Sequence, residues 1–232
     1  VAPDLVAGLI VHNEAGRYLR LVLDDLQTYC DLICVVDDAS DDVSPDICAG
    51  YPRTRVVRNP EHRFWRDESA LRMQLWELVT RENPRWVLAI DADEVLEPGF
   101  ARHRDRYLQQ EQFPLLGVQL HELWGCTTHY RVDGMWNPAG KYTPMFVRYR
   151  GGYPYRWRNQ PLHCGRVPAN APGPLWRGGL RARHFGYADT ADHRRKHDLY
   201  IRHDPRGLFC PLSHYESILA PPERVRLQPW VD

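Results

Sequence analysis

Three carboxylates stand within four residues at Asp91-Ala92-Asp93-Glu94, directly after the apolar run Trp86–Ile90. An apolar run of that length reads as a buried strand, and acids that follow it sit at its carboxyl end, where open α/β sheets bind ligands. Carboxylates so close repel one another unless a cation or hydrogen-bond donors lie between them, and hard oxygen ligands suit Mg²⁺ or Mn²⁺. The plainer reading is an acidic turn after a strand. Two further polar clusters stand in similar settings. His12-Asn13-Glu14 follows the run Leu5–Val11, and Asp37-Asp38-Ala39-Ser40-Asp41-Asp42 follows Leu32–Val36.

The segments between these clusters say how they are positioned. From Gly16 to Tyr29 the apolar residues Leu19, Val22, Leu23 and Leu26 recur at helical spacing. Asp42–Ala49 is expected as a short helix, Arg53–Arg58 as a strand and Ser69–Arg81 as a helix. Strands alternating with helices predict βαβ units and a mainly parallel sheet, so the three clusters would meet along one sheet edge. Further on, a helix is expected over 101–112, strands at Leu115–Leu123, Tyr142–Tyr149 and Arg181–Tyr187, and a polar helix over Asp189–Arg202. Gly125–Gly179 is rich in Gly, Pro, Trp, Tyr and Arg, a composition suited to ordered loops around a cleft. The expected organisation is one α/β domain over 1–232: a nucleotide-binding half over 1–100, an acceptor-side, loop-rich half over 101–204, and a tail over 205–232.

A chain of 232 residues with 43% hydrophobic content can bury a sizeable core, and its formal net charge of zero argues against a protein that coats nucleic acid. Lys141 and Lys196 are its only lysines, which leaves few catalytic amines. No apolar segment approaches the ~20 residues that cross a bilayer. The start lacks a signal-peptide pattern, and Val1 in first position reads as a trimmed start, which leaves a lost anchor open. Six scattered cysteines without CxxC spacing read as reduced thiols.

Order and spacing of the three clusters resemble the family 2 glycosyltransferases of the GT-A fold, over roughly the first hundred residues. Those have an Asn-Glu pair after the first strand, Asp-x-x-Ser/Thr-x-Asp after the second and a later Asp-x-Asp. Ala182-Arg183-His184-Phe185-Gly186-Tyr187, with Arg195, Lys196 and Tyr200, is similar to a His-x-Gly-Tyr segment of one branch of the family. The resemblance implies a GT-A-like α/β fold and a metal-dependent, inverting transfer of a sugar from a nucleoside-diphosphate donor to a hydroxyl of a glycan, lipid-linked saccharide or small molecule. It implies Mn²⁺ or Mg²⁺ on Asp91, Asp93 and His184, and a nucleotide held by Asn13, Glu14, Asp37, Asp38, Arg72 and Asp91. A cytoplasmic setting follows, with peripheral contact at the inner membrane face as one expectation, and no nucleic-acid partner.

An inverting transfer also needs a base for the acceptor hydroxyl. Where one branch of the family carries His-Glu, this chain has His163-Cys164, so the base stays open among Glu122, Asp133 and His163. Two other functions fit parts of the pattern. Leu88–Val95 resembles the opening strand of haloacid-dehalogenase-like phosphatases, with Asp91 as nucleophile, although two strand motifs precede it. A catalytically silent nucleotide- or glycan-binding module would explain the departure at Cys164. Plainer readings stand beside each residue: Asn13-Glu14 as a helix cap, Asp38, Ser40 and Asp41 as an ordinary strand-to-helix turn, Arg72 as a solvated helix residue, Arg194-Arg195-Lys196 as a solvated helix face that could also meet phosphate or an anionic membrane, and His184 as a satisfied half-buried histidine. Trp124, Trp136, Trp157 and Trp176 are expected in the core, with one or two stacking on sugar in an acceptor groove.

Overall fold

A computed structural model describes residues 2–232. The first half runs β1 (Leu5–Val11), α1 (Leu19–Tyr29), β2 (Leu32–Asp37), α2 (Ser44–Ala49), β3 (Thr54–Arg58), α3 (Glu68–Thr80) and β4 (Trp86–Ala89). Strands β3, β2, β1 and β4 are neighbours in that order and all parallel, as the alternation predicts. Alternation along β1 separates two cores. Leu5, Ala7, Leu9 and Val11 pack with α1, whereas Val6 packs with Leu71, Leu75 and Val79 of α3. Gly8 lies on the α3 side because a Cβ there would come within 3.0 Å of the Val79 side chain. Asp67 caps α3 through its side chain, which accepts from the Ala70 N–H at 2.9 Å, a contact worth ~1 kcal/mol.

The second half turns the sheet mixed. After β5 (Glu94–Leu96) and α4 (Pro98–Gln109) comes the ten-residue β6 (Leu115–Trp124), then β7 (His129–Arg131), β8 (Thr143–Arg148), β9 (Leu175–Trp176) and β10 (Arg181–Tyr187). Strand β8 lies antiparallel between β4 and β6. Strand β10 runs parallel to β6 and antiparallel to β5, which brings His184 opposite both Glu122 and Glu94. The polar helix α5 (Thr190–His203) leads to α6 (Leu212–Glu216) and the edge strand β11 (Leu227–Pro229), which pairs with β7. The tail therefore builds structure rather than only wrapping the surface. Among the described residues no helix is long and apolar enough to cross a membrane, and the six cysteines are free.

Candidate active site

The first two strand ends are sewn to each other. Asn13 and Ala39 take left-handed backbone conformations, φ 56° and 60°. The Asn13 N–H donates to Ser40 Oγ at 2.9 Å, and Asn13 Oδ1 accepts from the Asp41 N–H at 2.9 Å. Glu14 and Ala15 N–H groups donate to Ser44 Oγ and Asp42 Oδ2 at 2.8 and 3.0 Å. Asp38 is wholly buried. Its Oδ2 accepts from the Arg63 and Phe64 N–H groups at 2.9 Å each and meets His62 Nδ1 at 2.9 Å, while Asn59 donates to Oδ1 at 3.3 Å. Asp37, also wholly buried, accepts from the Ser40 N–H at 3.2 Å and pairs with Arg58 at 3.3 Å.

Asp37 and Asp38, expected among the nucleotide-binding residues, are here both bonded within the protein. Asp38 clamps the 59–64 segment, and stacked rings of His12 and His62, 3.9 Å apart, lie over it. Neither Asn13 nor Glu14 is the simple helix cap of the plainer reading, since α1 starts only at Leu19. Glu14 keeps some exposure and its pKa is pushed up to about 7, first by burial and then by the charge of Asp93, which together outweigh Arg17 at 2.9 Å.

At the third strand end the acids divide their work. Asp91 lies between two guanidinium groups, Arg72 Nη1 at 3.0 Å and Arg166 Nη2 at 3.3 Å. Burial alone would raise its pKa, but Arg166 and Arg72 hold it down at about 2. Arg72 is itself braced by Glu68 one turn earlier at 3.2 Å, so it is buried and engaged rather than a solvated helix residue. Arg166 also makes a bidentate pair with fully buried Glu94, which ties the 150–179 loops to the end of the sheet. With both Asp91 oxygens facing arginines, the phosphatase reading loses its nucleophile.

Asp93 faces elsewhere. Its Oδ1 is 3.3 Å from His184 Nε2, and its Oδ2 is 3.8 Å from Lys196 Nζ. The other ring nitrogen of His184 meets Glu122 Oε2 across the β10–β6 register. Burial would lower the His184 pKa, but the carboxylates of Glu122 and Asp93 hold it well above the usual value. Lys196 is thus turned inward, over the Tyr187 ring at 4.6 Å, while Arg194 and Arg195 stay exposed.

The expected three-ligand metal set does not assemble. Among the described residues no group of three or more His, Cys, Asp or Glu side chains is placed to hold an ion, because Asp91 is committed to arginines. Asp93 and His184 do fit one. Two ligands at ~2.1 Å and right angles on one Mg²⁺ lie ~3 Å apart, and a carboxylate on the far nitrogen is the usual support of a ligating imidazole.

A cavity of about 560 Å³ opens onto this row, lined among others by Trp65, Asp91, Glu122, His163, Arg166 and His184. It also reaches Trp136, which with Trp124 is buried in a core cluster, while Trp157 and Trp176 pack against core clusters. Asp133, one of the expected bases, lies outside the cavity lining, bonded to Arg131 at 2.8 Å and to the Arg226 N–H at 2.8 Å. Cys164 is buried, and burial pushes its thiol up to about 12. His163 stands in the cavity wall. Arg166, Trp65 and Tyr215 escaped the sequence reading as site residues, and Lys196 was read there chiefly as part of a solvated helix face that could meet phosphate. Lys196 carried a signal, as one of two lysines in an arginine-rich chain; Arg166 carried none.

Comparisons with known proteins agree with the geometry. The family model described as Glycosyl transferase family 2 matches residues 7–160. Uncharacterized proteins of Mycobacterium bovis and Mycobacterium tuberculosis are each 38% identical over 206 residues, covering 85% of this chain and 50% of theirs. The chain thus spans about half the length of the curated relatives it matches. Solved structures of S. aureus TarS, in complex with UDP and with UDP-GlcNAc, superpose with a TM-score of 0.50 over 94% of this chain and 70% of theirs. At 12% identity that likeness shows the fold alone.

Proposed function

The chain belongs to glycosyl transferase family 2, and from that premise we propose that it moves a sugar, with inversion, from a nucleoside-diphosphate sugar to an acceptor hydroxyl in the 560 Å³ cavity. The observation that carries the reading is the row Asp93–His184–Glu122 beside Arg72, Arg166 and Lys196 at the carboxyl end of the parallel strands. A leaving diphosphate develops negative charge, and preorganised cations in a water-poor cleft stabilise it far better than water does. Asp93 and His184 would hold a divalent cation, Mn²⁺ or Mg²⁺, which when bound supplies Lewis-acid stabilisation of the diphosphate. Glu122 fixes the orientation of the His184 ring. Arg72 and Arg166 stay charged at any working pH and are aimed by Asp91, Glu68 and Glu94.

Of the three expected bases, Asp133 lies outside the cavity lining and Glu122 is engaged with His184, which leaves His163. Glu14, part-exposed near Asp93, is the best placed of the first two clusters to meet the nucleotide. The acceptor classes are a glycan, a lipid-linked saccharide or a small molecule. Exposed Arg194 and Arg202 on α5 offer a place for a peripheral contact with an anionic membrane at the cytoplasmic face.

The test is to incubate the protein with UDP-, GDP- and dTDP-sugars, with Mn²⁺, Mg²⁺ or EDTA, and to measure nucleoside diphosphate released with and without a panel of saccharide acceptors. Turnover with one nucleotide and a divalent cation is expected. Binding without any turnover would favour the silent module, and neither binding nor turnover would end the nucleotide-sugar reading.

A further inference from the structure

Two buried groups, Asp204 and Tyr215, and the exposed His163 form a line that ends at the cavity wall. Asp204, 2% exposed, lies just past α5 and accepts from the Leu208, Phe209 and Cys210 N–H groups at 2.7, 3.0 and 3.2 Å. It also accepts from the hydroxyl of Tyr215, which is 1% exposed, at 3.0 Å. The phenol has one proton, and Asp204 takes it. The 3.1 Å contact between Tyr215 Oη and His163 Nε2 must then be donated by the imidazole. His163 is therefore the Nε2–H tautomer, with the lone pair on Nδ1 free.

The ring is held for this purpose. His163 takes a left-handed backbone conformation, φ 55°, that is uncommon for a residue with a side chain. Gln160 Nε2 pins the turn by donating to the Leu162 and His163 carbonyls at 2.7 Å each. Strain that the surroundings over-determine is a feature of functional positions. The other imidazoles in the cavity wall are unsuited: both nitrogens of His184 face carboxylates, and the buried Nδ1 of His214 has no partner to fix its tautomer.

We propose that Asp204 and Tyr215 are positioning residues that hold His163 as the base of the transfer, a proposal that rests on the glycosyltransferase reading above. The acceptor O–H proton passes to His163 Nδ1 while the acceptor oxygen forms a bond to the anomeric carbon. The anomeric C–O bond to phosphate breaks with its electron pair on the departing diphosphate, and the imidazolium later returns its proton to solvent. Its Nε2–H stays on Tyr215 throughout, which disperses the new positive charge toward Asp204.

Long-range ¹H–¹⁵N NMR of the histidine side chains is the first arm of the test. The His163 signals, assigned by their loss in His163→Gln, should show Nε2–H in the wild type and drift toward a tautomer mixture in Tyr215→Phe, which removes one oxygen and keeps the ring. Steady-state kinetics is the second arm. His163→Gln should lower kcat by ~10²–10⁴-fold, Tyr215→Phe by roughly ten-fold at unchanged donor KM, and the double variant no further than His163→Gln alone. An Nδ1–H wild-type tautomer, or losses that add in the double variant, would overturn the relay. Absence of turnover with every donor would remove the base role along with the functional reading, while NMR still decides whether the relay exists.

Discussion

The two sides of the cavity are built on opposite principles. On the strand-end side the acids are largely engaged within the protein: Asp37 and Asp38 are fully buried and bonded to their own loops, and Asp91 is shared by two arginines. On the loop and tail side, His163 keeps a free nitrogen, and Trp65 and Trp136 stand in the cavity wall. The strand ends are therefore largely a frame around Asp93, and much of the cavity wall comes from segments beyond residue 100. Here most of the carboxylates in the motifs hold arginines and loops in place.

Substitutions at the two sides should consequently fail in different ways. The largest effect is expected for Asp93→Asn, the one strand-end acid facing His184 and Lys196 rather than an arginine: transfer should fall by ~10³-fold or more, about 4 kcal/mol of transition-state stabilisation, with thermal unfolding little changed. Loss of folding instead would place Asp93 with the frame. Arg166→Met should act on stability, because it leaves fully buried Glu94 without its bidentate partner. A loss of about 3–5 kcal/mol in urea unfolding is expected, much of it recovered in Arg166→Met/Glu94→Gln. A loss under ~1 kcal/mol would show that the 150–179 loops do not depend on that pair.

Asp38→Ala should cost about 1–3 kcal/mol, since the Arg63 and Phe64 N–H groups lose their acceptor, and proteolysis within 59–66 should speed up. Unaltered protease resistance would break the view of Asp38 as a clamp. The smallest effect is that of Glu14→Gln. The folded carboxyl, held up to about 7 by burial and by Asp93, binds its proton more tightly than the unfolded one near 4.5. The wild type therefore loses stability from this group as pH rises from about 4.5 through 7, and keeps the loss above. Glu14→Gln should flatten that slope and raise Tm by ~2–4 °C at pH 8, if the effect is about 1 kcal/mol. An unchanged Tm–pH curve would contradict the raised pKa.

How much of this was legible in the sequence follows the same division. Leu5–Val11, the helix at Leu19–Tyr29 and the Trp86 strand could be read because each carries its own period or apolar run. The three clusters and His184 came from local motifs. The contact between His184 and Glu122 did not, because it depends on the register of strands 62 residues apart. Strands of two or three residues, such as Glu94–Leu96 and Leu175–Trp176, hold no period to detect. Arg166 sits among Gly and Pro, and Tyr215 in a proline-rich tail, where only the tertiary fold supplies their partners. For Asp38 the converse holds: its motif was visible, but its four partners within the protein were not.

A nucleotide-sugar site whose cation sits on Asp93 and His184 can be checked by calorimetric titration of UDP, GDP and dTDP. Each is titrated with Mn²⁺ and with EDTA, on the wild type and on Asp93→Ala. The account predicts binding of one diphosphate that needs Mn²⁺ and is lost in Asp93→Ala. Binding that is equal in EDTA and intact in Asp93→Ala, or no binding of any diphosphate by folded protein, would contradict it.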